Sequence, residues 1–309
     1  MKRLLNFEGK DYLNVSKFDL KRAILASEGR VIVSESVVTK APYLSEVTNA
    51  EIEKAFGADI LLLNTLDLRN PKIQGVPSYV KENHISWIKK ALSRPIGVNL
   101  EPVDDSIAMN EEKITLNAGR IANIENYKLA NDYGIDMICL TGNPATGVSN
   151  QMITKAIKEA RETYNGLIIA GKMHAAGTNE PVMNLAIAKD FVEAGCDILL
   201  IPAPYTVYHF SEDDFRNIAD YVRSYNEDRD LDEKVLIMSA IGTSQESADT
   251  STIRQIALAA KAGGAHLQHI GDGMEGISLP ENIYAMGLAI RGRRWQTIQM
   301  ARSNYRGED

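Results

Sequence analysis

Cysteine is scarce. Only Cys139 and Cys196 occur in 309 residues, each inside an apolar run. Two isolated thiols make no disulfide framework and no thiolate metal site, so both are expected as buried thiols in a reducing cytoplasm. Positive charge is also short: 34 Lys and Arg face 41 Asp and Glu, a net charge of -7. A nucleic-acid or anionic-membrane partner calls for a basic face, so neither is expected. No run approaches the roughly 20 apolar residues of a membrane span. Met1-Lys2-Arg3-Leu4-Leu5-Asn6 has no apolar signal core, which agrees with a cytoplasmic location. An early Gly-x-Gly-x-x-Gly after the first strand is missing too, which argues against a dinucleotide-binding sheet.

What is present is a repeated spelling. A helix end, a Gly, one small or apolar residue, a polar residue and an apolar run recur at Phe56-Gly57-Ala58-Asp59-Ile60, Tyr133-Gly134-Ile135-Asp136-Met137, Ala194-Gly195-Cys196-Asp197-Ile198 and Gly263-Gly264-Ala265-His266-Leu267. The Gly suits a left-handed helix stop, and the apolar run suits a parallel strand covered on both faces. Four further strand-like runs lie between these joints: Val31–Glu35, Ile96–Glu101, Leu167–Lys172 and Val235–Ser239. Interleaved, they make eight strands separated by helix-like segments, with no pair close enough for a hairpin. A closed barrel or a long doubly wound sheet fits that alternation; the four strand pairs favour eightfold closure. One (β/α)8 barrel takes about 250 residues, so residues 1–309 are read as a single domain. Asp19–Ser27 reads as a short N-terminal helix below the barrel. Thr48-Asn49-Ala50-Glu51 and Ser278-Leu279-Pro280-Glu281 read as capped helix starts, and Thr252–Ala262 as an amphipathic helix between the last two strands. The arginine-bearing tail from Arg291 reads as an extra C-terminal helix used for packing or subunit contact, so a homo-oligomer is expected. Two long unpatterned stretches, Thr65–Ser78 and Glu101–Leu116, each follow a strand and should lie over the mouth.

A barrel of this kind presents its reactive groups at strand C-terminal ends. The polar residues there are Glu35, Asn64, Asn99 with Glu101, Thr141 with Asn143, Lys172 with His174, Ser239 with Thr243, and His269 with Asp272. Lys172 and His174 stand two apart and would share a face if the strand continued. The ammonium could form an imine, stabilise an enolate, bind an anion, or pair structurally with Glu101 or Glu35, while His174 could move protons. Glu35, Glu101 and Asp272 are candidate ligands for a divalent cation, Mg or Mn, though without diagnostic spacing. Gly242-Thr243-Ser244 and Gly271-Asp272-Gly273, the turns after strands 7 and 8, are the candidate phosphate sites, because backbone N–H groups can close on an anion where Gly lets the chain come near. Glu246, Asp272 and Glu275 oppose an anion there. His269 reads equally as a core, supporting or ligand-contacting residue.

The helix Leu20-Lys21-Arg22-Ala23-Ile24-Leu25 before Val31-Ile32-Val33 resembles the opening of the phosphoenolpyruvate mutase and isocitrate lyase superfamily. Lys172-x-His174 and the Thr141-Gly142 turn are similar to BtpA-like chains. More broadly the chain resembles uncharacterised bacterial phosphate-binding barrels of phosphonomutase-like or hydrolase-like description. The mutase group's acidic metal-binding run and its lysine/cysteine gate are not found at the corresponding places. The resemblance implies a barrel and a small phosphorylated or carboxylated ligand. Enolate or imine chemistry of lyase, aldolase or isomerase type is the leading expectation; metal-assisted hydrolysis, or a non-catalytic BtpA-like assembly factor or sensor, are the alternatives.

Overall fold

Eight strands pair in chain order into one closed parallel barrel in the computed structural model, which describes residues 2–13 and 15–307. They are β1 (Val31–Val37), β2 (Ile60–Asn64), β3 (Ile96–Leu100), β4 (Met137–Leu140), β5 (Leu167–Gly171), β6 (Ile198–Pro202), β7 (Leu236–Ile241) and β8 (Leu267–Ile270). The helices are α1 (Gly9–Leu13), α2 (Lys17–Leu25), α3 (Asn49–Ala55), α4 (His84–Leu92), α5 (Ile124–Asp132), α6 (Asn150–Thr163), α7 (Leu185–Ala194), α8 (Glu212–Asn226), α9 (Thr250–Gly263) and α10 (Pro280–Ala301). β1 pairs with both β2 and β8, which closes the ring.

Side-chain alternation divides each strand between two cores. Val31, Val33, Ile60, Leu62, Met137, Cys139, Leu167, Ile169, Ile198, Leu200, Leu236, Met238 and Leu267 fill the barrel interior. Their neighbours Leu61, Leu63, Val98, Ile138, Leu140, Ile168, Ala170, Leu199 and Ile237 face the helices. Leu4, Leu20, Ala23 and Ile24 join the interior cluster, so the N-terminal segment and α2 plug the bottom as expected. Both thiols are buried.

The recurring joint has a shared geometry. Asp59 Oδ2 accepts from the backbone N–H of Ile32 at 2.8 Å, Asp136 Oδ2 from Ile96 at 2.9 Å, Asp197 Oδ2 from Ile168 at 3.0 Å, and His266 Nδ1 from Ile237 at 3.0 Å. Each of the four in turn donates its own backbone N–H to the carbonyl of the same partner, at 2.9, 3.1, 2.9 and 2.9 Å. The polar residue of every even-numbered strand thus caps the start of the preceding odd strand, and strand-opening N–H groups deep in the base are satisfied. The preceding glycines Gly57, Gly134, Gly195 and Gly264 all have positive φ, the left-handed stop the spelling implied. Cations compensate all three joint carboxylates, with Lys89 Nζ 3.0 Å from Asp136. Arg291 Nη1 reaches Asp59 at 2.6 Å, and Lys17, Lys21 and Arg161 converge on Asp197 at 3.0–3.2 Å.

Helix starts follow the sequence with one exception. Thr48 and Glu51 form the reciprocal capping box. Ser278 does not: α10 starts with Pro280 at its first turn and no side-chain cap. The Ser278 hydroxyl instead lies against the carbonyl oxygens of Glu35, Ile270 and Gly271 at 2.9–3.1 Å. Loose strand-end carbonyls beneath the mouth outweigh the local capping preference. Gly292, at φ 72° and ψ 166°, breaks α10, and the segment beyond it is the extra C-terminal helix.

Burial holds His266 down to about 4. The folded imidazole stays a neutral acceptor while the unfolded one takes a proton below about 6.5. Stability should therefore fall as pH drops from about 6.5 toward 4, by about 2–3 kcal/mol from this group. His266→Asn, which keeps an acceptor, should flatten that part of the curve. Urea midpoints at several pH values check it; an unaltered slope in the variant would assign the effect elsewhere.

Candidate active site

A cavity of about 540 Å³ opens at the C-terminal ends of the strands. Its wall is supplied by residues that continue the inward-facing alternation: Glu35 on β1, Asn64 on β2, Asn99 on β3 and Thr141 just past β4. Asn143, His174, the turn Gly242-Thr243-Ser244, Glu246, Gly271 and Asp272 complete it, with Asn110 and Glu111 coming from the long loop after β3. Met173 is apolar floor, packed at 3.0 Å from where a side chain on Gly242 would begin.

Two hydrogen-bonded groups meet there. Asn99 Nδ2 donates to Glu35 Oε1 at 2.6 Å, and His269 Nε2 lies 2.7 Å from Glu35 Oε2. The carboxylate accepts from the Nε2–H, while the buried Nδ1 has no hydrogen-bond partner. On the other side Asn64 Nδ2 donates to Asp272 Oδ2 at 2.9 Å and shares two hydrogen bonds with Asn143, at 2.9 and 3.1 Å. Asn143 also donates to Glu101, whose Oε1 accepts from Arg120 at 2.7 Å.

The electrostatics are one-sided. Glu35, Glu111, Glu246 and Asp272 line the cavity and, among the described residues, no lysine or arginine does. Burial, then the charge of Glu35, pushes Asp272 up to about 7. Burial raises Glu246 as well, against the pull of its own N–H and that of Ser244. Burial likewise raises Glu101 and lowers His174, so the latter is neutral near pH 7. His174 Nδ1 accepts from the Ala176 N–H at 3.0 Å, so its proton sits on Nε2.

Most of the expected residues line this cavity; Glu101 and His269 stand behind its wall, bonded to Asn143 and Glu35, and three others lie elsewhere. Lys172 is fully buried on the outward face of β5, the side of Ile168 and Ala170, and bonds Glu180 at 3.1 Å and the Val148 carbonyl at 3.5 Å. Glu180 also accepts from the first N–H of α6, at 2.8 Å. Lys172 is therefore a strut between two loops, with Glu180 as its partner instead of Glu101 or Glu35. The strand ends at Gly171, φ 153°, where an added Cβ would strike the Leu200 carbonyl; the chain bends there, so residues 172 and 174 part company. Ser239 lies within β7, which runs on to Ile241, and faces outward beside Ile237. Gly273 lies outside the cavity wall, because its front is taken by Glu246: an added Cβ there would collide with that carboxylate. The slot between the two glycine turns, expected to cradle phosphate, is thus filled by a side-chain carboxyl. Thr243 and Ser244 are consecutive left-handed residues, φ 56° and 79°, which turn the chain around it.

The candidate cation ligands do not converge. Glu35 is engaged by Asn99 and His269, Glu101 by Arg120 and Asn143, and Asp272 by Asn64. Among the described residues no three His, Cys, Asp or Glu are grouped so as to hold a metal ion. The residues present do not form the set expected for Mg or Mn. Likewise, among the described residues no helix is long and apolar enough to cross a membrane.

Fold and site together define a parallel (β/α)8 barrel with an acidic, amide-lined cavity at the end where such barrels carry their chemistry. Within that class the chain belongs to the family described as Domain of unknown function (DUF7916), whose model matches residues 5–306. No curated protein matches it. Among solved structures it is similar to an archaeal fructose 1,6-bisphosphate aldolase (13% identity, 87% of this chain and 97% of that one, TM-score 0.49). It is also similar to 2,3-dimethylmalate lyase, a PEP mutase/isocitrate lyase superfamily member (13%, 96% and 91%, TM-score 0.49), and to the YdjI aldolase of Escherichia coli K12 (12%, 93% and 96%, TM-score 0.48). Identity this low carries no site residue across.

Lys172→Met should shift the unfolding free energy by less than about 1 kcal/mol, since the partly exposed Glu180 left behind can be hydrated. Borohydride treatment with carbonyl metabolites should add no mass at residue 172. An adduct there would return the ammonium to the cavity.

Proposed function

We propose that the protein is an enzyme of lyase, aldolase or isomerase type that moves protons on a small metabolite bound at the barrel mouth. The observation that carries this reading is Asp272: a carboxyl raised to about 7 by burial and by Glu35, tied to Asn64 and facing a cavity of metabolite size. A base poised near the working pH is what proton abstraction from carbon or hydroxyl requires, and shifts of this origin concentrate at functional sites. Asp272 takes the proton and returns it. His174, neutral with its proton on Nε2, donates to oxygen where negative charge develops. Glu35, pinned by Asn99 and His269, fixes the field that sets Asp272.

The imine version of the expected chemistry loses its support, because Lys172 stands on the other side of β5. The acidic wall and the occupied glycine slot likewise disfavour the phosphorylated or carboxylated ligand that the turns suggest. Metal-assisted hydrolysis lacks a converging ligand set. A sensor that only binds would have no use for a base tuned to neutrality.

Deuterium incorporation tests the reading: pools of small hydroxy, keto and amino compounds are incubated with the protein in heavy water and their C–H positions followed by NMR. Exchange should rise with pH through about 7 as Asp272 ionises. Asp272→Asn should slow it by about 10²- to 10⁴-fold, with Glu35→Gln also impaired and displacing the pH midpoint downward. Full exchange in Asp272→Asn would remove the proposal.

A further inference from the structure

The ligand's own chemistry can be read from what the cavity leaves unanswered. Four carboxyl-bearing side chains face it, Glu35, Glu111, Glu246 and Asp272, against no lysine or arginine among the described residues. Glu246 lies against Gly271 and Gly273, the residues on either side of Asp272, and the charges of Glu35 and Glu246 both raise Asp272. Independently, two buried polar atoms on the same wall have no partner: Asn99 Oδ1, on a residue 3% exposed, and Thr141 Oγ1, on a residue 1% exposed. The Asn99 amide is oriented by Glu35, which accepts from its Nδ2, so the oxygen is left over as an acceptor. A buried acceptor without a donor is costly, and its natural complement is a ligand that brings N–H or O–H groups. Among the described residues, the protein itself supplies no compensating cation on the wall.

We propose that the cavity takes its substrate through a protonated amine set against the acidic wall of Glu35, Glu246 and Asp272, with Asn99 Oδ1 and the Thr141 hydroxyl as further acceptors. An ammonium supplies positive charge where the wall has only negative, and three donors where the wall has spare acceptors. Glu246, filling the slot between the two glycine turns, excludes a phosphate from the position where barrels commonly hold one. The inference rests on this cavity being the reaction site and names the class of compound that enters it.

Three compounds on one carbon skeleton separate the possibilities: glucamine (an amine), sorbitol (the uncharged polyol) and sorbitol phosphate. Binding to the full chain is measured by calorimetry at fixed ionic strength, with thermal shift as a second reading. Glucamine should bind at least about tenfold more tightly than sorbitol, a difference of about 1.4 kcal/mol, and sorbitol phosphate should not bind. Glucamine affinity should fall as pH is lowered through about 7, where Asp272, facing Glu35, Glu246, His269 and the buried Glu53 of α3, gains its proton. Asp272→Asn should weaken glucamine and remove that pH dependence, and Glu246→Gln should weaken it while leaving the circular dichroism unchanged. Equal binding of sorbitol and glucamine, or preference for the phosphate, overturns the inference, and the wild-type comparison alone decides this if a variant fails to fold. Selective amine binding with no deuterium exchange in any amine would leave this inference standing and remove the catalytic one. Exchange in a non-amine compound would do the reverse.

Discussion

The reciprocal pair of hydrogen bonds at the barrel base is the constraint on which the rest depends. Each even strand begins with a polar side chain that accepts from the first residues of the odd strand before it, while its own N–H returns to the same residue. The stagger between neighbouring strands is set by that exchange. A one-residue slip in a strand would carry its interior side chains to the helix side. Register at the base therefore decides what faces inward at the mouth, two to four residues further along each strand. Glu35, Asn64 and Asn99 point into the cavity because Val31, Ile60 and Gly97 below them are set on the inward side.

At the mouth the same alternation produces crowded carboxyls that the fold has not neutralised. At the base, Asp59 has Arg291 and Asp197 has three cations. At the cavity, Glu35 and Asp272 have amides and an imidazole. Burying like charges without counter-ions raises their proton affinity, and a site that tolerates this cost retains groups able to exchange protons at neutral pH. Strength at one end and electrostatic tension at the other follow from one pattern.

The barrel was legible because its signal is periodic and repeated: a glycine stop, a polar cap and an apolar run recur four times, and the other strands fall between. The bottom plug and the mouth loop carrying Asn110 and Glu111 followed from position alone. Side-chain direction near strand ends was harder. Lys172 and His174 share a face only while β5 persists, and the bend at Gly171 has no mark in the neighbouring letters. Ser239 looked terminal because the apolar run pauses there, whereas β7 continues through Ala240 and Ile241. The capping spelling at Ser278 was overridden by three strand-end carbonyls that only tertiary structure brings near. The filling of the glycine slot by Glu246 depends on two consecutive left-handed residues, which Thr243 and Ser244 do not announce.

Arg291 has a consequence for the order of events during synthesis. Its guanidinium completes the first of the four base joints by reaching Asp59, 232 positions earlier in the chain. Gln299 and Arg302 likewise grip the carbonyl of Leu5 in the bottom plug. Before α10 is made, Asp59 has no guanidinium to meet and the Leu5 carbonyl no donor from Gln299 or Arg302, so these contacts can form only once the chain extends through residue 302.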